Sequence, residues 1–270
     1  MQLFLRVSGF KTAEAEAFLN RFTLPIRSAW NMEMPPRCQS HDVFPWRFRR
    51  QLSLYLRPLV QLSASPRVWI VSVPFLEKSV TYITSHLEHA RLPKDFFGSA
   101  EMQAYAGRVT NKRGHDFAAK VEKVFSQADF ATKLEIELTE LGASKRLCLG
   151  DVDVLSWENS SGTVYVVECK RLLPAASVRE VVQMLEEFRG DKKEMDSLAR
   201  HVRRIEWLKG NLAALEKFTG IQSTKIRLIP LLVTSEIVPM QFYVNVNFPA
   251  SQVVPFDELE TRLAEDKLAS

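Results

Sequence analysis

The chain has 270 residues, of which 46% are hydrophobic and 25% charged, with a formal net charge of +4. That length allows one large domain or two ordinary ones around a substantial core, and the composition is that of a soluble globular protein. No apolar run approaches the roughly 20 residues needed to span a bilayer, which excludes a membrane-spanning helix.

The opening residues lack the apolar core and small-residue cleavage site of a signal peptide. Three cysteines, Cys38, Cys148 and Cys169, have neither metal-ligand spacing nor the even count of a disulfide framework. A reducing, cytoplasmic setting is expected. The mild positive charge permits a polyanionic partner without demanding one.

In chain order, a helix is expected over 11–22, then an irregular Pro-containing stretch at 31–46. Between Val43 and Leu76 stand Arg47, Arg49, Arg50, Arg57 and Arg67, with no acidic residue, and Phe44, Trp46, Phe48 and Tyr55 are interleaved among them. Arginine clamps phosphate and aromatic faces stack on bases, so Arg47, Arg49, Arg50 and Arg57 are candidate nucleic-acid contacts. An amphipathic segment with core aromatics and solvated arginines gives the same pattern. "RVWIVSVPF" reads as a strand, and Val80, Ile83 and Leu87 carry helical spacing. The mixed Pro, Gly and polar residues of 91–114 suggest a boundary, so residues 1–104 are read as an accessory domain with no assignable fold.

From Gly114 the pattern becomes regular. Phe117, Val121, Val124 and Phe125 define one helical face. Leu134, Ile136 and Leu138 alternate with charged neighbours as in a half-exposed antiparallel strand. Two apolar strands follow, joined by the turn Asn159-Ser160-Ser161-Gly162. A helix over 177–190, a polar helical region broken near Gly210, and the apolar strand "KIRLIPLLVT" complete a mixed α/β domain spanning 105–250. Residues 251–270 read as a C-terminal tail.

If Glu158 pairs with Thr163 across the turn, the same register places Asp153 opposite Glu168 and Asp151 opposite Lys170, all on one face. Opposed carboxylates about 4.5–5.5 Å apart at Cβ repel unless a cation neutralises them. Oxygen ligands of this kind suit Mg²⁺ or Mn²⁺, and Lys170 would reach a phosphate beside the metal. On this view removing either carboxylate relieves repulsion and leaves the fold intact. Cys169 points to the other face and is expected to pack in the core.

The set "GDVDVL" and "VVECK", within helix–three strands–helix–strand order, resembles the PD-(D/E)XK nuclease superfamily, the restriction-endonuclease-like fold, over roughly 105–240. The resemblance implies that Asp153, Glu168 and the Cys169 backbone carbonyl bind Mg²⁺ or Mn²⁺, and that Lys170 positions or activates water. Where many relatives carry Glu on the first helix this chain has Ala118, so Glu122 or Asp116 would substitute, Glu122 being better placed. Gln183 occupies the glutamine position of one branch, but Glu187 stands where that branch has Tyr.

The activity implied is metal-dependent hydrolysis of phosphodiesters, in DNA above all, with RNA open. Lys192, Lys193, Arg200, Arg203, Arg204 and Lys209 are further candidates for phosphate contact. A second reading is a catalytically silent nucleic-acid-binding or assembly subunit of a larger defence or repair system. Homo-oligomerisation or membership of a larger complex fits either.

Overall fold

The computed structural model describes residues 11–25, 52–92, 96–172, 174–175, 178–188, 196–243 and 248–268. Arg47, Arg49, Arg50 and Lys192 lie outside them. The chain forms two compact units, Met1–Thr110 and Asn111–Ser270. Among the described residues no helix is long and apolar enough to cross a membrane.

In the first unit, helix α1 (Thr12–Phe22) runs directly into the short strand β1 (Thr23–Leu24). β1 pairs in parallel with β2 (Leu59–Ala64), and β2 pairs antiparallel with β3 (Arg67–Ile70). The expected strand at "RVWIVSVPF" therefore stops at Ile70, because Pro74 sits in the first turn of α2 (Val73–Glu88), where a proline is tolerated. Leu56, Leu92 and Phe97 form a small buried cluster. Arg57, a candidate nucleic-acid contact, is half-buried and donates from Nη1 to the Thr23 carbonyl at 3.3 Å.

Helix α3 (Ala100–Gln127) starts well before Gly114, and the division between the two units falls within it. The glycines at 107 and 114 do not break it: the apolar stripe of Phe117, Val121 and Phe125 anchors its later turns in the core. Strands β4 (Ala131–Glu137), β5 (Asp151–Glu158) and β6 (Thr163–Lys170) follow. Then come α4 (Val178–Glu187), α5 (Ser197–Gly210), α6 (Leu212–Thr219) and β7 (Arg227–Thr234). The order of helix, three strands, helices and strand is the one expected, and the domain is α/β with a mixed sheet. β4, β5 and β6 are antiparallel neighbours, and β7 joins β6 in parallel.

Residues 251–268, within the expected tail 251–270, are not a tail in the structure. Val253–Pro255 form β8, parallel to β7 at the sheet edge, and α7 (Phe256–Leu268) follows at once. Val254, Leu259 and Leu263 are the apolar positions responsible, and all three are buried.

The five-stranded sheet carries a core on each face. Val154, Tyr165, Val167, Leu231 and Val233 pack against α3 and α7 on one side. Val164, Val166 and Leu232 pack against Leu198, Val202, Ile205 and Leu208 of α5 on the other. Leu263→Ala is expected to lower stability by about 2–5 kcal/mol, the usual cost of emptying a buried leucine site. Urea unfolding measures it, and a change below about 1 kcal/mol would return this segment to the status of a tail.

Candidate functional site

The hairpin turn places Gly162 at φ +69°, and a Cβ there would lie 2.3 Å from the Lys225 carbonyl oxygen, so both conformation and space call for glycine. With the turn set, the β5–β6 register runs as expected from Glu158 opposite Thr163 to Val154 opposite Val167. There the regular ladder ends. The Cys169 amide, which would continue it, donates instead to Asp153 Oδ2 at 2.6 Å.

The neighbouring strand bends at the same level. Glu135 sits between the β4–β5 pairs Leu134–Val154 and Ile136–Val152 and has φ +51°, a conformation rare for a residue with a side chain. Strict alternation fails there. Leu134 and Val154 belong to one core, and Ile136 and Val152 to the other. Asp153 is thus turned toward β6 rather than standing as a simple cross-strand partner of Glu168.

Glu168 stands on the α5 side of the sheet and is 5% exposed. Its Oε1 accepts from Lys170 Nζ at 2.6 Å, and its Oε2 is bound by Arg204 Nη1 of α5. His201 Nδ1, one turn before Arg204, lies 4.0 Å from Oε2. Arg204 also donates from Nε to the Leu149 carbonyl at 2.7 Å and is 4% exposed. It is therefore not the solvent-facing phosphate contact expected from sequence. The reason is its place on α5, beside the buried stripe of Leu198, Val202, Ile205 and Leu208.

These contacts push the two carboxylates apart electrostatically. Burial and the charge of Glu168 raise the Asp153 pKa to about 6, against the Cys169 N–H and Lys170. Burial would raise Glu168 too, but Lys170 and Arg204, helped by His201, hold it below its ordinary value. Burial depresses His201 to about 4 despite Glu168, with Arg204 and Lys170 adding to the effect. The Cys169 thiol is buried in the opposite core, and burial raises its pKa well above the ordinary value, which suits a packing group.

Asp153, Glu168 and Lys170 are thus brought together at the open end of the hairpin. Asp151 is paired with Glu137 and lines an adjoining cavity of about 460 Å³ with Glu135, Lys145 and Gly150. Glu122 does not join the group: it accepts from Thr132 Oγ1, and Thr132 is paired with Ser156, three residues along β5 from Asp153. Ala118, where relatives of the resembled family carry an acid, lies on the core-facing side of α3 and is 4% exposed. The side chain of Gln183 lies outside the described residues. Arg203 donates from Nη2 to the Leu147 carbonyl at 3.3 Å.

Among the described residues no three His, Cys, Asp or Glu side chains converge as a metal cluster. A cation here would rest on Asp153, Glu168, a backbone carbonyl and water. The residues fit it in one respect: Lys170 and Arg204 both bind Glu168, while the negative charge of Asp153 is left poorly compensated.

The sequence reading missed Arg204 and His201 as site residues. For His201 the signal was present, because it shares the helical stripe of Leu198, Ile205 and Leu208, and a polar residue there must be buried.

Fold and site define an α/β protein with a charge-paired carboxylate centre at the frayed end of a β-hairpin. Residues 5–255 match the family described as anti-phage protein Upx-like, and with most of the chain covered the protein belongs to that family. No curated protein matches the sequence.

The two carboxylates are expected to respond oppositely to neutralisation, which revises the view that either can be removed freely. Glu168→Gln strands Arg204 in the core and should cost about 3–5 kcal/mol. Asp153→Asn keeps an acceptor for Cys169 and should leave stability at pH 7 unchanged or higher. Equal losses in urea unfolding would contradict the charge assignment.

A pH profile gives a second check above pH 4.5, the ordinary Glu value below which Glu168 begins to contribute. His201 has a folded pKa near 4 against an ordinary 6.5, so the unfolded chain binds the extra proton and stability falls on acidification. Asp153 has a folded pKa near 6 against 3.8, so its contribution is present at low pH and lost as pH rises through 6. In the native protein the two slopes oppose each other. Asp153→Asn removes one, and between pH 6.5 and 4.5 it should lose on the order of 2 kcal/mol more than the native chain, at about 1.4 kcal/mol per pKa unit. Parallel profiles would show that Asp153 is not perturbed.

Proposed function

We propose that the protein is a metal-dependent nuclease that hydrolyses phosphodiester bonds in DNA and acts in defence against phage. The observation that carries this reading is the convergence of Asp153, Glu168 and Lys170 at the open end of the hairpin, beside the buried Val152, Val154 and Val167. The family match is compatible with the defence role.

Asp153, Glu168 and the Cys169 carbonyl would hold Mg²⁺ or Mn²⁺, and when bound such a cation supplies activation of water and neutralisation of phosphate charge. The chain supplies the rest. Lys170 is at the rim, with its side chain 30% exposed, and can exchange its bond to Glu168 for one to a phosphate oxygen. There its ammonium stabilises the charge that develops as the phosphodiester breaks. Arg204 and Leu149 keep Glu168 in place while this happens.

One observation favours a second reading, a silent nucleic-acid-binding or assembly subunit: both Glu168 oxygens are already paired within the protein. Response to metal separates the two. A nuclease should gain thermal stability with Mn²⁺, and a silent subunit should not.

The purified chain incubated with single-stranded, duplex and branched DNA and with RNA, in Mg²⁺ or Mn²⁺, should cleave DNA. Asp153→Asn and Lys170→Ala should each lose at least 100-fold in rate, the scale of loss for a group acting on developing charge, while remaining folded by melting curve. Cleavage that survives Asp153→Asn would place the chemistry elsewhere. Binding should weaken steeply with salt, as for phosphate-dominated contacts. Charge reversal at Arg47, Arg49 and Arg50 should lower affinity for unrelated sequences about equally, and unchanged affinity would exclude those arginines from the interface.

A further inference from the structure

Arginine on the polar side of an amphipathic helix ordinarily ends in water. Arg204 does not. Its Nε donates to the Leu149 carbonyl, its Nη1 binds Glu168, and its Nη2 lies 3.3 Å from where a Cβ would stand on Gly150. The guanidinium is therefore seated against the backbone that leads into β5, four residues before Asp153. Beyond the last regular pair, Val154–Val167, two side-chain links replace the ladder. Asp153 of β5 binds the β6 backbone at Cys169, and Glu168 of β6 is tied through Arg204 to the backbone preceding β5. The links cross, and each ties one carboxylate to the opposite strand or its approach. Lys170 differs from Arg204 on both counts: it is partly exposed, and its ammonium pairs with Glu168 without a tie to the backbone preceding β5 among the described residues.

We propose that Arg204 is the positioning residue of the metal site, aiming Glu168 and setting its spacing from Asp153, while Lys170 is the exchangeable counter-ion that yields Oε1 to an incoming divalent cation. This rests on the metal-site reading above. It assigns different jobs to two cations that touch the same carboxylate, and a metal titration can distinguish them.

The test compares the full-length native protein with Arg204→Lys, Arg204→Gln and Lys170→Ala. Mn²⁺ binding is followed by the electron paramagnetic resonance of free Mn²⁺ and by melting temperature. Arg204→Lys keeps the charge but lacks the planar fork that reaches Leu149 and Glu168 together. Its Mn²⁺ midpoint should rise about tenfold or more, the usual scale for losing a partner that orients a ligand, and Arg204→Gln should be at least as weak. Lys170→Ala removes the competing ammonium and should bind Mn²⁺ as tightly as the native protein or more so. A folded Arg204→Lys with the native midpoint would overturn the positioning role while leaving the metal site standing. A native protein that binds no Mn²⁺ would overturn the metal-site reading, and the positioning role with it.

Should neither Arg204 variant fold, the native protein serves. The Arg204 Nε–H, held by Leu149, should give a slowly exchanging ¹⁵N resonance that shifts on adding Mg²⁺ and saturates with it. A resonance that stays fixed while Mg²⁺ raises the melting temperature would overturn the proposal.

Discussion

A carboxylate placed in a protein core must be given positive charge and hydrogen bonds or it will not stay ionised. Glu168 stands under that constraint, and much of the second unit is arranged around it. Arg204 can reach Glu168 only if α5 docks on that face of the sheet, and α5 docks there through Leu198, Val202, Ile205 and Leu208. The same arginine gathers in the Leu149 carbonyl and so fixes how the chain enters β5. Apolar residues of similar volume would stabilise a core as well as a buried ion pair, and often better. A pair kept at this position is consistent with a use for the charge itself.

The two carboxylates differ in what surrounds them. Glu168 is held by two cations and stays ionised, whereas Asp153 has a backbone amide and a repelling neighbour. That inequality ties the centre to the proposed chemistry, because the under-compensated member is where an external cation gains most. It also makes the site something other than a symmetric pair of opposed acids. The bend at Glu135 and Asp153 turns one of them out of the cross-strand position that plain alternation would give it.

The parts legible in sequence were those with local causes. The Asn159–Gly162 turn set the hairpin register, and the charges of Asp153, Glu168 and Lys170 stood out beside the valines of the same strands. The break at Gly210 and Asn211 divides α5 from α6 as the polar pattern suggested. The parts that were not legible depend on distant packing. Arg204 looks like any other basic residue on a helix until Leu149 and Glu168, 55 and 36 residues away, are folded against it. Residues 251–268 look terminal because the sheet edge they cover is made by β7, and nothing local announces it. The irregularity at Glu135 comes from a positive φ at a residue whose identity does not ask for one.

β6 is paired in parallel with β7 along all eight of its residues, from Thr163 with Arg227 to Lys170 with Thr234, and the Lys170 carbonyl is tied onward to the Ser235 amide at 3.1 Å. β5 by contrast leaves regular pairing with β6 at Val154. The centre is therefore held by continuous pairing on its β6 side, and on its β5 side by β4 and the Arg204 link. Glu168 and Lys170 ride on the doubly held strand, whereas a change in the gap, whether for ions of different radius or for different groups lodged in it, meets only β4 and Arg204 along the short run from Leu149 to Asp153. Variation among related proteins in what the centre accommodates would accordingly be written in those five residues and in the arginine that grips them, while the β6–β7 rail stays constant.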